Sequence, residues 1–588
     1  MRGSSYVIGI SAFFHDSSCC LLRDGVLVAA ASEERFTRIK HDGSLPVNAF
    51  RYCLREGDIN INDLSCIGYY EEPVKKLGRQ LWMGLPGIPA SRLHDTSWFD
   101  VHRPEREIIN QLGIECPLHF FGHHASHAAS AFFFSGFPEA AIMTVDGVGE
   151  WSTTAYWKGG GSTMSLLEEV DFPDSLGLLY SAVTGYLGFE VNEGEYKVMG
   201  LAPYGQPRYM DKISSLIANG KDGSFQLDMK YFDFLRGDRM HSDAMDELFG
   251  QPARLRDSEI DSFHYDVAAS LQKTLEEILL QKVQYLFERS PSENLCMAGG
   301  VALNCVANSR LLKEGPFQRL FVQPASSDAG GALGAAALAH IANGGTMPVQ
   351  SLPHVYLGRS SPVAEIHNAL SESAIPYLNF EGKTTELIEA VVDRLAAGKV
   401  IGWFQGRDEF GPRALGSRSI LADPRPEHMR DHVNALVKLR EGFRPFAPAV
   451  PESSAADHFD IDHPSRFMLE TCQVTSSLSM PAITHVDGSA RVQTVDPQIS
   501  PRFHALLEAF GRRTGCPVLL NTSFNVRGEP IVSTFMEALR CLIRTEIDSL
   551  VLEDFLLDRE SIPTDWFCIR EVTAPSVRGV GEYAYTFF

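Results

Sequence analysis

The sequence predicts an α/β fold split into at least two domains, and three observations carry that prediction. The chain has 588 residues, more than a single hydrophobic core organises. Short apolar runs of strand length alternate with helical patterns, as where a pattern over 384–397 ends at Gly398 and meets Val400–Phe404. An order of strand, polar loop, strand, tight turn and strand is used twice, a duplication of architecture rather than of sequence.

The first use begins with the apolar strand Tyr6–Ile10, turns through Ser11–Ser18, and continues as Cys19–Leu22, an Asp24-Gly25 hairpin turn and Val26–Ala31. The second runs from Ala140–Val145 through Asp146-Gly-Val-Gly-Glu150 to Ser152–Trp157, a turn at Gly159–Gly161 and Met164–Leu167. Two such halves, with carboxylate-bearing hairpins facing each other, describe the actin/sugar-kinase/heat-shock ATPase-like architecture. That is a fold-level analogy and points to ATP.

Between the halves lies His123-His124-Ala125-Ser126-His127. His123 and His127 are four residues apart, one helical turn, and the alanines around them favour a helix. Such a pair grips a divalent metal, or it is a pair of satisfied helix histidines. Asp146, leaving an apolar strand into a glycine turn, favours the metal. Asp328, at the junction of Leu320–Val322 with a small-residue helix, reads either as a helix cap or as a further metal carboxylate.

Gly194–Gly205 holds Lys197 among glycines, a weak phosphate signal. Residues 262–290 read as a long amphipathic core helix. Asn294–Ala298 runs into Gly299-Gly300 and a helix with Asn304, where amides and small residues leave room for a nucleotide. Residues 342–361 read as a linker. Beyond it, arginines recur in glycine-flanked turns: Gly411-Pro-Arg413-Ala-Leu-Gly416, Lys438–Pro448 with Arg444, then His485, Arg491 and the strand delivering Asn521. In an acidic protein these predict an anion pocket.

Composition narrows the function. Apolar residues are 44% and charged residues 21%, a globular balance. The net charge of −22 argues against a nucleic-acid partner. No apolar run has the length of a membrane span and no signal-peptide pattern is present. The 11 cysteines include no Cys-x-x-Cys pair, which predicts reduced thiols in the cytoplasm.

Taken together these residues resemble the O-carbamoyltransferases of the NodU/CmcH (nodulation, cephalosporin, tobramycin) type. The motifs are Phe14-His-Asp-Ser-Ser18, Glu33-Glu-Arg-Phe-Thr-Arg38 with Lys40-His41, His123-His-x-x-His-Ala-Ala-Ser130, Val145-Asp-Gly-x-Gly-Glu150, Met199-Gly-Leu-Ala202, Gly299-Gly-Val-Ala-Leu-Asn304, Gly411-Pro-Arg-Ala-Leu-Gly416, Arg444-Pro-Phe-Ala-Pro448 and Leu520-Asn-Thr-Ser-Phe-Asn525. The stretch 562–588 has no counterpart.

The resemblance implies a metal- and ATP-dependent carbamoyl-transfer domain over 1–350 and a YrdC-like α/β domain over 351–588. The latter would hydrolyse carbamoyl phosphate to carbamate. The former would use the carbamate and ATP to make carbamoyl adenylate, then pass the carbamoyl group to a small-molecule hydroxyl, as in antibiotic biosynthesis. It assigns His123, His127, Asp146 and Asp328 to a metal, typically iron(II), while the donors equally fit zinc or manganese; Mg2+ is a candidate companion of ATP. His15 becomes the catalytic base. Lys197, Gly299, Gly300 and Asn304 would line the ATP site. Arg413, Lys438, Arg444, His485, Arg491 and Asn521 would hold carbamoyl phosphate. Residues 70–110, with Trp82, Met83, Pro86, Pro89, Trp98, Phe99 and Pro104, form a candidate acceptor loop. A tRNA threonylcarbamoyl-transfer enzyme is the alternative, disfavoured by the charge. A regulatory nucleotide-binding protein is harder to reconcile with the site residues. The acceptor, and whether the protein is a homodimer, stay open.

Overall fold

The structure, a computed structural model, describes residues 4–83, 100–235, 239–438 and 441–571. It is a mixed α/β protein of two compact units. Among the described residues the first comprises the chain up to Glu33 and His41–Leu352. The second comprises Glu34–Lys40 and the chain from Pro353 onward. Arg35 and Arg38, in the short segment Glu34–Lys40, donate to the carbonyls of Gly411, Pro530 and Ile531.

The first unit contains two five-stranded sheets of identical topology. Strands β1 (Tyr6–Ser11), β2 (Ser18–Arg23), β3 (Val26–Ser32), β4 (Leu64–Tyr69) and β5 (Leu118–Phe120) are ordered β3-β2-β1-β4-β5. β1, β2 and β3 form an antiparallel meander, and β4 and β5 add in parallel. The second sheet begins with β6 (Glu139–Val145), β7 (Ser152–Gly160) and β8 (Thr163–Asp171). After a small hairpin of β9 (Ile217–Asn219) and β10 (Phe225–Leu227) it is completed by β11 (Asn294–Ala298) and β12 (Arg319–Val322). Its order, β8-β7-β6-β11-β12, repeats the first, with the same parallel and antiparallel pairs. Asp24 and Gly25 both have positive φ (52° and 79°), as a two-residue turn joining right-twisted strands demands. Gly159 and Gly160 extend β7 instead of turning, and the turn falls at Gly161 and Ser162.

Two helices position the candidate metal ligands. His123–Phe132 carries the two histidines and Asp328–Ala342 opens with the aspartate. They pack closely because the second is built from Gly and Ala. A Cβ on Gly334 would lie 1.7 Å from the Ser126 carbonyl oxygen. Gly334→Ala is therefore expected to force the helices apart and cost about 1–3 kcal/mol, read as a lower thermal unfolding midpoint; an unchanged midpoint would contradict this packing. The helix Ser262–Arg289 is capped by the Asp261 side chain and buries Val267, Leu271, Leu275 and Leu279.

The second unit is a layered α/β structure around one eight-stranded mixed sheet. Its strands are β13 (Leu378–Asn379), β14 (Ile401–Phe404), β15 (Arg418–Ala422), β16 (Ala447–Pro451), β19 (Gln493–Val495), β20 (Leu519–Ser523), β21 (Ser549–Leu552) and β22 (Phe555–Asp558), with a separate hairpin of β17 (Cys472–Gln473) and β18 (Ser489–Ala490). The order is β13-β22-β21-β14-β15-β20-β16-β19. Alternate residues enter two cores. Ile401, Trp403, Leu421, Leu519 and Val551 pack with helices Thr384–Ala396 and Pro501–Thr514. Phe404, Ile420, Leu520, Leu550 and Leu552 pack with helices Val363–Glu372 and Phe535–Arg544. Both faces are covered, so the strands read as continuous apolar runs. The ten cysteines whose side chains are described are all free thiols. Among the described residues no helix is long and apolar enough to cross a membrane.

Candidate active site

In the first unit His123, His127, Asp146 and Asp328 meet at one point. Each offers one ligand atom, and all four lie within 4.8 Å of one another. The Nε2 atoms of His123 and His127 are 3.0 Å apart. Asp146 Oδ2 lies 3.1 Å and 3.0 Å from them, and Asp328 Oδ1 lies 3.6 Å and 3.7 Å from them. His123, His127 and Asp328 are buried. The Nδ1 atoms of both histidines are buried without a hydrogen-bond partner among the described residues, and Nε2 is the nitrogen each turns to the other donors. A first-row divalent ion binds imidazole nitrogen and carboxylate oxygen at about 2.0–2.2 Å. Donors separated by these distances fit around one such ion.

The backbone aims Asp146. Its Oδ1 accepts from the amides of Gly147 (2.8 Å) and Gly300 (3.1 Å), which turns Oδ2 toward the imidazoles. Asp328 Oδ2 accepts from the Tyr70 hydroxyl at 3.4 Å, leaving Oδ1 for the quartet. Burial opposes charge on both sides, yet the pairing wins. His127 is pushed up to about 9 by Asp146 and Asp328, and Asp146 is held well below the usual carboxylate range by the two histidines. His124 belongs to a different environment: burial, with His123 and His127 beside it, drives it well below an ordinary imidazole, and its Nδ1 lies 2.7 Å from the Thr144 hydroxyl.

His15 lies in the loop between β1 and β2. Phe13 and Asp16 there adopt left-handed φ values of 70° and 56°, a costly conformation for a bulky residue that surrounding contacts must enforce. The Phe13 amide donates to the Gly43 carbonyl at 2.8 Å. Asp16 holds His41 Nδ1 at 2.7 Å through one oxygen and faces His15 Nδ1 at 3.4 Å through the other. Burial works against a charged His15, but Asp328 and Asp16 outweigh it and raise the ring to about 9.

The residues expected around ATP serve local structure as well. Gly299 has φ 96°, and a Cβ there would meet the Val145 carbonyl oxygen at 2.2 Å. The glycine thus lets this turn pack against the end of β6. Gly300 fixes Asp146. Asn304 caps the helix Cys305–Glu314 and exchanges two hydrogen bonds with Gln272. Lys197 lies on the short helix Glu195–Leu201, its Nζ 5.8 Å from the centre of the Phe189 ring.

In the second unit several of the predicted anion residues lie on or just ahead of neighbouring strands of the sheet. Asn521 pairs with Ala447 across β20 and β16, and the parallel pair β16/β19 puts Arg491 and Arg444 just ahead of neighbouring strands. The Asn521 amide donates to the Ala414 carbonyl, next to Arg413, and to Gln493. His485 Nε2 lies 3.3 Å from the carbonyl of Phe443, beside Arg444. Lys438 ends a single helical turn, and its side chain lies outside the described part of the structure. Within the candidate acceptor loop, Trp82 is exposed on helix Pro73–Met83, whereas Pro86, Pro89, Trp98 and Phe99 lie outside the described residues.

Residues 6–79 and 109–337 match the family model of the carbamoyltransferase N-terminus, and residues 392–559 that of the carbamoyltransferase C-terminus. The chain belongs to the carbamoyltransferase family. Every candidate residue named above for metal, base, ATP or carbamoyl phosphate falls inside those matched segments of the carbamoyltransferase models. The chain is similar to an uncharacterized protein of Synechocystis sp., with 44% identity covering 95% of this chain and 97% of that protein. It is similar to the nodulation protein NolNO of Sinorhizobium fredii, with 38% identity covering 95% of this chain and 81% of that one. It is also similar to the 3'-hydroxymethylcephem-O-carbamoyltransferase of Streptomyces clavuligerus, with 33% identity covering 60% of this chain and 65% of that enzyme.

Three contributors escaped sequence reasoning. Tyr70 follows an ordinary apolar strand. Asp16 and His41 sit inside motifs that were noted, but 25 residues apart, and nothing in that spacing shows that they pair.

Proposed function

We propose that this carbamoyltransferase is an O-carbamoyltransferase running three reactions. Carbamoyl phosphate and water give carbamate and inorganic phosphate. A carbamate oxygen attacks the α-phosphorus of ATP, giving carbamoyl adenylate and pyrophosphate. A small-molecule hydroxyl then attacks the carbamoyl carbon, its proton passes to a base, and AMP leaves. The quartet His123, His127, Asp146 and Asp328, three of its members buried, is the observation that carries this reading. A relative named for O-carbamoylation of a hydroxymethyl group supports the hydroxyl acceptor.

The first unit, read as the duplicated actin/sugar-kinase/heat-shock ATPase-like domain, takes ATP through Lys197, Gly299, Gly300 and Asn304. The quartet holds a divalent ion, iron(II) or another that accepts two imidazoles and two carboxylates. The chemistry supplied there is neutralisation of phosphate-oxygen charge as phosphorus is attacked. His15 takes the proton of the acceptor hydroxyl, and Asp16 orients its ring. In the metal-free protein the Asp328 carboxylate helps keep His15 protonated. A divalent ion held at Asp328 would offset that pull and would favour the neutral imidazole that a base requires.

The second unit, read as YrdC-like, takes carbamoyl phosphate through Arg413, Lys438, Arg444, His485 and Arg491. Asn521 Oδ1 is buried without a hydrogen-bond partner among the described residues, which suits it to accept from the carbamoyl NH2 group. Arg413→Ala is expected to raise KM for carbamoyl phosphate by roughly 10–100-fold, the value of one or two charge-assisted hydrogen bonds, while ATP affinity stays the same. Steady-state kinetics in each substrate check this, and an unchanged carbamoyl phosphate KM would remove Arg413 from the site.

A further inference from the structure

The turn that delivers Asp146 ends four residues later in Glu150, to which the chemistry above gives no part. Its side chain is buried. Both carboxylate oxygens accept from the backbone amide of His123, at 3.0 Å and 3.1 Å, and one also accepts from the amide of Glu72 at 2.6 Å. His123 is the first residue of the ligand-bearing helix, and Glu72 directly precedes helix Pro73–Met83. One carboxylate thus satisfies the leading amide of one helix and the entry to another, where orphan N–H groups and the helix dipole favour negative charge. The turn comes close enough because residue 149 is glycine: a Cβ there would press on the His123 and His124 side chains at 3.1 Å. The Gly149 amide closes the turn on the Ser152 carbonyl at 2.9 Å. Without a side-chain cap of its own, the His123 helix takes its N-terminal anion from this turn.

The geometry points to Glu150 as the positioning residue of the metal site: it clamps the His123 helix to the turn that carries Asp146 and so fixes the spacing between the two ligands. This rests on the metal reading of the quartet. Asp146 and Glu150 are two ends of one short, hydrogen-bonded turn, so the turn and the helix register as one body. Loss of the Glu150 carboxylate frees the helix start and lets His123 shift against Asp146, an outer contact of the kind that tunes ligand placement.

The test is Co2+ titration of the metal-free full-length chain, read as dissociation constant and visible ligand-field spectrum, for wild type, Glu150→Gln, Glu150→Ala, Glu150→Asp and His123→Ala, with thermal unfolding of each metal-free form. The expected result is a 10–100-fold weaker Co2+ affinity in the Glu150 variants, with an altered spectrum, and partial recovery in Glu150→Asp. If Glu150→Ala does not fold, Glu150→Gln, which keeps an acceptor oxygen and the side-chain shape, carries the comparison. Wild-type affinity and spectrum in the Glu150 variants, with a lowered unfolding midpoint, would make Glu150 merely structural and overturn the proposal. Wild-type affinity in His123→Ala would overturn the metal reading beneath it, so the two failures are told apart.

Discussion

His127→Ala is expected to lose tight divalent-metal binding and to lower carbamoyl transfer by roughly 10³-fold, as follows when several kcal/mol of charge stabilisation disappear. The imidazole is fully buried and its Nε2 lies 3.0 Å from Asp146 Oδ2 and 3.0 Å from the other imidazole. Alanine leaves Asp146 and Asp328 facing each other with one imidazole fewer between them, so the two carboxylates repel when no cation is present. Asp146, now held low by both histidines, would titrate higher in the variant. Metal content by atomic emission and carbamoyl transfer measured on the same preparation check the prediction. A variant that retains both metal and turnover would remove His127 from the ligand set.

The second large effect is expected at His15. His15→Ala should lower transfer to the acceptor by roughly 10²–10⁴-fold, the range of a positioned general base, while pyrophosphate is still released from ATP and carbamoyl phosphate. The imidazole is half-buried, paired with Asp16, and raised to about 9 in the metal-free protein. Its folded value lies above the 6.5 of a free imidazole. The pairing therefore adds stability that is complete below about pH 6.5 and is lost as pH rises through about 9. A carbon-13 or proton NMR titration of the His15 ring reads this directly, and addition of a divalent ion should move the midpoint down. Equal transfer rates in wild type and variant would assign the proton to another group.

The parts of this fold visible in the sequence were those set by local periodicity. The meander of β1 to β3 and its copy in β6 to β8 follow from apolar runs broken by Asp24-Gly25 and Gly161, and the helix Ser262–Arg289 follows from its leucine spacing. His123 and His127 were recognisable because one helical turn separates them. Asp328 was ambiguous between cap and ligand, and the structure shows why: it opens a helix and faces the imidazoles at once. Glycines were harder to read. Gly299 reads in the sequence as space for a nucleotide, and the structure adds that a Cβ there would meet the Val145 carbonyl, a close approach that no sequence spacing reveals. Glu150 and Tyr70 act across the fold on backbone or carboxylate groups, and such contacts leave no pattern in the chain. The placement of Glu34–Lys40 in the second unit is of the same kind, because it depends on carbonyls more than 370 residues away.

The central claim is that ATP is cleaved to AMP in order to activate carbamate for transfer. The full-length chain, reconstituted with a divalent metal and supplied with ATP, should release AMP and pyrophosphate only when carbamoyl phosphate is added, with no tRNA present. Separation of nucleotides by ion-exchange chromatography after incubation reads this outcome. AMP formation that requires carbamoyl phosphate and is lost in His127→Ala is the predicted result; ADP as the product, or AMP formed equally without carbamoyl phosphate, would contradict it.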